Sequence, residues 1–328
     1  MGKKAMNVKG YRTGLSRRGL LQGTTIAAAA LSLSPVARAA TPEAETIPLW
    51  PSEAPGGVAT PLKTVIEKRS ADVNVYSQIA SPFLLVYRPQ NLNGTALVLS
   101  QGGGYVHIAN SPNVPAYFTA QGITVFDLIY RLPGEGWRAG PDAPKQDGQR
   151  AVRLVRKLAP RYGLDVNRIG VIGFSAGGHV AATTATAFEQ KVYAPVDDAD
   201  SLSARPDFAV LSCPVITMTD PFAHKPSRRL LLGDQPDAAR IAAYSCEKLV
   251  TSNTPPAFLV HANDDKVVPA DNSLLMVMAM RQAGVPVELH LYREGGHGMG
   301  TSLSPDLPAS HWPETMLRWL ARLPLQKA

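Results

Sequence analysis

In the stretch Arg168-Ile169-Gly170-Val171-Ile172-Gly173-Phe174-Ser175-Ala176-Gly177-Gly178-His179, an apolar run leads directly into a serine flanked by glycines. The apolar run predicts a buried strand, and the residues around the serine match the Gly-x-Ser-x-Gly turn called a nucleophile elbow. In such a turn the serine is strained, and a Cβ two residues to either side would collide with a neighbouring element. The pattern therefore predicts that Ser175 exposes its hydroxyl as a nucleophile at the end of a strand.

A nucleophilic serine needs a general base and an acid that orients the base. The apolar run Pro256–His261 leads into Asp264 and Asp265, which places two carboxylates just after a predicted strand. A later run, Val287–Tyr292, leads into the glycine-flanked His297. Serine, acid and histidine thus follow the chain order expected after a nucleophile elbow. The sequence predicts His297 as the base and leaves the choice between the two aspartates open.

Backbone donors for an oxyanion are predicted upstream. The apolar run Thr95–Ser100 is followed by Gln101-Gly102-Gly103-Gly104-Tyr105, and a glycine loop at this place can donate backbone N–H groups to a developing oxyanion. We therefore expect the hole to consist of the amides of Gly103, Gly104 and Ala176.

Two aromatic residues are candidate substrate contacts. Tyr105 directly follows the glycine loop. Trp137 lies in the Pro- and Gly-rich segment 132–144, where its ring would either stack on a sugar or pack against its own loop. Both are therefore hypotheses for substrate binding.

Alternating strand and helix patterns define the fold class. Apolar runs occur near 63–68, 72–78, 83–88, 95–100, 123–129, 168–173, 207–213, 256–262 and 286–293. Helical patterns separate most of the later runs, which predicts a doubly wound, mostly parallel α/β sheet in a single domain. The 328 residues, 45% of them hydrophobic, suffice for one sizeable core. No metal-ligand spacing or phosphate-binding loop is present, so neither a metal nor another cofactor is expected.

The net charge of +7 does not indicate a nucleic-acid partner. Seven basic residues and no acidic residue lie within 1–39; without these seven, the 33 Lys and Arg fall to 26 and equal the 26 Asp and Glu. The excess charge is therefore confined to the N-terminal segment, and the rest of the chain is formally neutral.

The same segment resembles a twin-arginine export signal. Ser16–Leu21 contains Arg17-Arg18, an alanine-rich stretch follows, and Ala37-Arg38-Ala39 supplies a small-residue cleavage site. We expect residues 1–39 to be the signal peptide and 40–328 the mature domain, exported through the Tat machinery to the periplasm or medium. A retained membrane anchor is the less favoured alternative, because the apolar stretch is shorter than the roughly 20 residues that a spanning helix needs.

Whether the two cysteines, Cys213 and Cys246, pair is left open by the sequence. Cys213 ends the apolar run 209–213, where free buried thiols are common, and we therefore favour no disulfide.

From Leu49-Trp50-Pro51 to the C-terminus, the chain resembles the α/β-hydrolase esterases that act on acylated plant polysaccharides, the acetylxylan-esterase-like group. The motifs that carry this resemblance are Gly102–Tyr105, Tyr130–Pro133, Asp147–Ala151, Gly173–His179 and Gly296–Gly298. Gln101 departs from the group, whose loops carry Pro or His there. This departure puts the shape of the acyl pocket in question.

The resemblance implies an α/β-hydrolase fold and a Ser-His-Asp esterase for short acyl groups, chiefly acetyl, on xylan or xylo-oligosaccharides. In related enzymes the first aspartate of Asp-Asp-x-Val-Val-Pro orients the histidine, which favours Asp264 over Asp265. A general short-chain carboxylesterase and a prolyl-oligopeptidase-like peptidase are the alternatives. A glycosidase is not favoured, because it needs two carboxylates that flank the bond.

Overall fold

A computed structural model describes residues 45–70 and 72–324. The predicted signal peptide, residues 1–39, lies outside the described residues, which themselves group as one compact unit. The strands are β1 (Glu45–Pro48), β2 (Val65–Ser70), β3 (Val73–Ser77), β4 (Phe83–Tyr87), β5 (Ala96–Ser100), β6 (Ile108–Asn110), β7 (Thr124–Ile129), β8 (Ile169–Phe174), β9 (Phe208–Ser212), β10 (Ala257–Ala262) and β11 (Val287–Tyr292). The α-helices are α1 (Asn113–Ala120), α2 (Asp142–Tyr162), α3 (Ser175–Thr186), α4 (Lys225–Leu232), α5 (Ala238–Ala243), α6 (Asp271–Gln282) and α7 (Trp312–Leu320).

Within the described residues, the central sheet has eight strands in the order β1-β4-β7-β5-β8-β9-β10-β11. β4 pairs antiparallel with both β1 and β7, and the strands from β7 to β11 are parallel. β2, β3 and β6 form a separate small antiparallel sheet. The nine predicted apolar runs are confirmed as strands, whereas the short strands β1 and β6 were not predicted.

Helices cover both faces of the central sheet. Alternate residues of β5 divide between two apolar clusters: Val98 packs in the cluster that contains α2, α3 and α6, and Leu97 and Leu99 pack in the cluster that contains α1 and α7. Coverage on both faces explains why β5, β7, β8, β9 and β10 are buried along their whole length. The predicted doubly wound, mostly parallel sheet is confirmed.

A buried ion pair fixes the segment after β7 against α2. Arg131 Nη2 lies 2.8 Å from Asp147 Oδ1, and both side chains are fully buried. Trp50 Nε1 donates to the same carboxylate at 2.9 Å. Because each charged group is paired and hydrogen-bonded, the burial of these polar groups is compensated. The network connects Trp50, near the start of the described chain, to helix α2.

Both cysteines are buried and free. Among residues 45–70 and 72–324, no helix has the length and apolar character needed to cross a bilayer.

Candidate active site

Ser175 lies where β8 ends and α3 begins, with a φ of +54°. This left-handed conformation is strained for a serine, as expected of a nucleophile elbow. A Cβ on Gly173 would lie 2.3 Å from the Gly177 oxygen, and one on Gly177 would lie 2.1 Å from the Ser100 oxygen. The predicted reason for both glycines is therefore confirmed, since only glycine fits at either place.

His297 bridges the serine and an aspartate. Its Nε2 lies 2.9 Å from Ser175 Oγ, and its Nδ1 lies 2.8 Å from Asp265 Oδ2. Because an ionised carboxylate only accepts hydrogen bonds, Nδ1 carries the proton and Nε2 is left to accept from the serine hydroxyl. This tautomer is the one a general base for Ser175 requires.

The choice of Asp264 as the orienting acid is wrong. Asp264 Oδ1 accepts instead from the backbone N–H of Gly296 at 2.8 Å, and it makes this contact beside the histidine. The two adjacent residues leave the turn after β10 in different directions, and only Asp265 points beneath the imidazole. Asp264 thus holds the backbone of the histidine loop, and Asp265 contacts the histidine itself.

Asp265 is held in its charged form. Burial alone would raise the pKa of this carboxyl, but hydrogen bonds from His261, His297 and two backbone amides bring the pKa well below its ordinary value. The amides belong to Val267 and Val268, at 2.8 and 3.0 Å. An acid that stays ionised can stabilise the imidazolium that forms when His297 takes a proton.

His261 is a site residue that sequence reasoning missed, because it was assigned only to a strand. Its Nε2 lies 3.3 Å from Asp265 Oδ2 and 3.0 Å from the Val268 oxygen, while its Nδ1 lies 2.8 Å from Ser273 Oγ. Nε2 therefore donates to two acceptors and Nδ1 accepts from the serine hydroxyl. Its position at the end of β10, four residues before Asp265, was the available signal.

In the glycine loop, backbone oxygens accept hydrogen bonds on one side, and this leaves backbone N–H groups on the opposite side. The Gly102 oxygen accepts from Ala109 N at 2.8 Å, and the Gly103 oxygen accepts from Val106 N at 3.0 Å. In a trans peptide the N–H points opposite to the C=O, so the amides of Gly103 and Gly104 point away from these contacts. Both residues line the same cavity as Ser175.

The third predicted donor, Ala176, lies in the first turn of α3, where a backbone N–H has no acceptor within the helix. Gly103 and Gly104 thus line the same cavity as Ser175, and Ala176 follows Ser175 in the chain. Within the described part of the chain, the backbone N–H groups of all three are free to donate to a ligand. Only glycine fits at position 103, because a Cβ there would lie 1.9 Å from the His107 oxygen.

A cavity of about 530 Å³ opens beside Ser175 and His297. Apolar side chains of Val114, Phe174, Val267 and Leu303 form part of its wall. The charged or titratable side chains among its described lining residues are Arg69, His107, His224 and His297, with no carboxylate. The cavity thus offers an apolar surface and hydrogen-bond donors within reach of one nucleophile.

The predictions for Tyr105 and Trp137 are wrong, since neither residue lines this cavity. Tyr105 has a φ of +66°, is 2% exposed, and its hydroxyl lies 2.7 Å from His179 Nδ1 in the interior. Trp137 is 4% exposed and lies against Arg131, 5.0 Å from ring centroid to guanidinium carbon. The backbone turn and the buried arginine direct both rings into the core.

Cys213, Asp265 and His297 place potential ligand atoms within 4.8 Å of one another. Distance alone would suit a metal ion, but both nitrogens of His297 are already engaged with the serine and the aspartate. Burial also raises the pKa of the Cys213 thiol, which disfavours the thiolate that a metal needs. The hydrogen-bonded triad accounts for this cluster, and the expectation of no cofactor stays a prediction.

Comparison with known proteins identifies the family. The BD-FAE family matches residues 84–280, more than half of the chain. The acetylxylan esterase of Xylanibacter ruminicola is 35% identical over 224 residues, which are 66% of this chain and 43% of that protein. The endo-1,4-beta-xylanase B of Butyrivibrio fibrisolvens is 34% identical over 233 residues, 69% of this chain and 36% of that protein. The chain thus spans less than half the length of these two curated relatives.

A solved structure matches over nearly its full length. The acetyl ester-xyloside bifunctional hydrolase from Caldicellulosiruptor lactoaceticus is 35% identical, with a TM-score of 0.71, and the match covers 86% of this chain and 97% of that one. The TM-score shows that the two chains share their overall fold. The chain therefore belongs to the BD-FAE family and is an acetylxylan-esterase-like α/β-hydrolase.

Proposed function

We propose that this chain is a serine esterase that removes acetyl and other short acyl groups from xylan-type carbohydrates. The observation that carries the proposal is the continuous hydrogen-bonded series Ser175, His297 and Asp265 at the edge of a cavity lined by a glycine loop. The relatives named for acetylxylan esterase and acetyl ester-xyloside hydrolase activity support the choice of substrate class.

In the first half of the reaction, Ser175 Oγ attacks the ester carbonyl while His297 Nε2 takes its proton. The carbonyl oxygen becomes an oxyanion that accepts from the amides of Gly103, Gly104 and Ala176. The tetrahedral intermediate then expels the sugar oxygen, which takes the proton back from His297. An acyl-serine remains, and Asp265 stabilises the imidazolium while it exists.

In the second half, a water molecule loses its proton to His297 and attacks the acyl-serine carbonyl. Collapse of this second intermediate returns the proton to Ser175 Oγ and releases the free carboxylic acid. The same amides stabilise both oxyanions, and one such donor is typically worth about 3–4 kcal/mol of transition-state stabilisation.

The decisive test replaces the nucleophile. Ser175→Ala and His297→Ala should each lower kcat on p-nitrophenyl acetate and on acetylated xylo-oligosaccharides by several orders of magnitude, because the reactive series acts as a unit. Circular dichroism should show the fold retained. Ser310→Ala is a matched control, since the Ser310 hydroxyl is buried without a hydrogen-bond partner among the described residues. If Ser175→Ala kept more than a few per cent of activity, the assignment of the nucleophile would be wrong.

The proposed acyl preference is tested by a chain-length series. We expect kcat/KM to fall from acetyl to butyryl to longer esters, because each methylene added to a filled acyl site costs about 1–3 kcal/mol. The cavity is far larger than an acetyl group, so on this proposal most of it holds the carbohydrate. An optimum at six or more acyl carbons, without acetate release from acetylated xylo-oligosaccharides, would favour a general carboxylesterase. Hydrolysis of peptide amides would favour the peptidase alternative.

We also propose that the chain is exported through the twin-arginine machinery and cleaved after Ala39. The support is the sequence alone: Arg17-Arg18, the alanine-rich stretch and Ala37-Arg38-Ala39. The native protein should begin at Ala40 in a periplasmic or secreted fraction, and the double variant R17K/R18K should accumulate as precursor. A mature cytoplasmic protein that begins at Met1 would exclude the signal.

A further inference from the structure

A buried hydrogen-bond network lies behind the glycine loop and takes no part in the steps above. Its centre is Asp127 on β7, which is fully buried. Asp127 Oδ2 accepts from Gln101 Nε2 and from Asn110 Nδ2, both at 2.6 Å. The other oxygen, Oδ1, is buried and has no hydrogen-bond partner among the described residues. A carboxyl group in this position costs stability, so its presence calls for a role beyond packing.

Gln101 joins the two ends of the loop. Its Oε1 accepts from Ser111 N at 2.9 Å, and its Nε2 donates to the Ser111 oxygen at 3.2 Å as well as to Asp127. Asn110, the residue before Ser111, reaches the same Asp127 oxygen. One carboxylate oxygen therefore holds both the start and the end of the segment 101–111.

The backbone between these ends is also fixed. Tyr130 Oη donates to the Gln101 oxygen at 2.8 Å, from the residue that follows β7. The Gly102 and Gly103 oxygens accept from amides farther along the loop. Because each peptide group moves as a rigid plane, a change in φ or ψ that follows a shift of the loop ends reorients the amides of Gly103 and Gly104 relative to Ser175.

We propose that Asp127 is a positioning residue for the oxyanion hole: through the side-chain amides of Gln101 and Asn110 it holds both ends of the loop that carries Gly103 and Gly104. The inference rests on the proposed esterase function and goes beyond it, because Asp127 lies behind the loop and does not line the cavity. Gln101, which departs from related loops, here has a defined task as the link between Asp127 and Ser111.

The chemistry of the network predicts which replacements preserve it. An asparagine at position 127 can place its carbonyl oxygen where Oδ2 lies and accept both amides, with its NH₂ group at the unpartnered Oδ1 position. Leucine has a similar branched shape but accepts nothing. Burial raises the pKa of Asp127 to about 7, so the neutral asparagine also resembles the form that is already populated near neutral pH.

The experiment compares Asp127→Asn, Asp127→Leu and Gln101→Met with the wild type on p-nitrophenyl acetate. A trifluoromethyl ketone analogue of the acetyl ester serves as the probe, because Ser175 adds to it and creates an oxyanion in the hole. Asp207→Asn is the matched control: it makes the same change in a carboxylate that pairs with Arg156 at 3.2 Å, just before β9. The control tests whether lost stability alone changes the kinetics.

Asp127→Leu and Gln101→Met should lower kcat by about 10- to 100-fold, which is less than the loss of a whole oxyanion donor. They should weaken binding of the trifluoromethyl ketone by a similar factor. KM should change less than about threefold, because the ground-state ester depends little on the hole. Asp127→Asn should stay within about threefold of the wild type, as should Asp207→Asn.

The proposal is overturned if Gln101→Met and Asp127→Leu keep wild-type kcat, or if kcat falls without weaker binding of the ketone. Gln101 lines the cavity, so if Asp127→Leu does not fold, Asn110→Leu decides between these outcomes, because Asn110 donates to Asp127 at 2.6 Å and does not line the cavity. A wild-type protein without activity on any ester would remove the proposed function and this inference with it. An active wild type with unaffected variants would remove the inference only.

Discussion

The two sides of Ser175 each contain a buried carboxyl group, and the pKa values of the two groups are shifted in opposite directions. On the histidine side, Asp265 accepts hydrogen bonds from two histidines and two backbone amides, and its pKa lies well below the ordinary value. On the glycine-loop side, Asp127 accepts from two amide side chains through a single oxygen, and its pKa is raised to about 7. Burial raises the pKa of both groups.

Burial raises the pKa of Asp127 more than its two amide donors lower it, whereas four hydrogen-bond donors outweigh the effect of burial on the pKa of Asp265. In the proposed mechanism, Asp265 must stay ionised because it faces an imidazole that becomes positively charged. Asp127 accepts hydrogen bonds from two neutral amides, which a protonated carboxyl can also hold through its carbonyl oxygen. One side of the site therefore requires a charge and the other requires an acceptor in a fixed place.

The largest effect should come from removal of the required charge. Asp265→Asn should lower kcat by about 10³- to 10⁴-fold, because the amide favours the wrong imidazole tautomer and cannot stabilise the imidazolium. Asp264→Asn makes the same change one residue earlier, where the side-chain oxygen can still accept from Gly296 N. It should lower kcat by less than about tenfold. Equal losses for the two variants, from steady-state kinetics on one ester, would show that the orienting role is shared.

A smaller effect is expected on the glycine-loop side, where shape matters more than charge. Gly103→Ala should lower kcat by about 10²- to 10³-fold, since its Cβ would lie 1.9 Å from the His107 oxygen and displace the proposed oxyanion donor. At Gly104 a Cβ meets nothing within 4 Å, but the φ of +66° makes alanine strained by about 1–2 kcal/mol. Gly104→Ala should therefore lower the melting temperature more clearly than kcat. The reverse ranking in kcat would contradict the arrangement of the loop.

The smallest effect concerns stability and pH. The pKa of Asp127 is about 7 in the folded chain against an ordinary value of 3.8, so the folded state binds its proton more tightly than the unfolded state. Stability from this group is therefore full at low pH and is lost as pH rises through about 7. Asp127→Asn removes the titration, and its melting temperature relative to the wild type should rise by several degrees between about pH 5 and pH 8.

Three tyrosines near Asp127, Tyr76, Tyr87 and Tyr130, have raised pKa values, chiefly through burial, and stay neutral across this range. They add no competing titration between about pH 5 and pH 8. A melting-temperature difference between Asp127→Asn and the wild type that did not change with pH would show that the buried carboxyl is ionised throughout.

The sheet and the nucleophile elbow were predictable because short sequence motifs agree with the alternation of strands and helices along the chain. The apolar runs and the glycines around Ser175 predicted the sheet and the elbow, and the glycine-flanked His297 lies where the order of motifs placed it. β1 and β6 were missed because strands of four and three residues carry too little periodicity. Which of the adjacent residues Asp264 and Asp265 faces the histidine depends on the backbone of a turn, and sequence spacing does not contain that information.

The substrate contacts failed for a related reason. Tyr105 follows the glycine loop in the sequence and Trp137 lies in a Pro- and Gly-rich segment, but φ at Tyr105 and the position of Arg131 turn both rings inward. Asp127 had a signal that went unused, since it is a charged residue within the apolar run 123–129. A carboxylate in a strand buried on both faces requires specific hydrogen-bond donors, and the departure at Gln101 supplied one of them.

The crowding around the elbow has a consequence for laboratory evolution of this site. Glycines 173 and 177 leave no room for a methyl group, and a Cβ on Gly178 would lie 2.7 Å from Pro214 Cβ. Libraries randomised at these positions should return mostly inactive, unfolded clones. Val267, by contrast, is 46% exposed at the wall of the same cavity. Substitutions at Val267 can change which esters are accepted while the elbow keeps its geometry. Substrate preference can therefore be altered at positions that the reaction itself does not depend on.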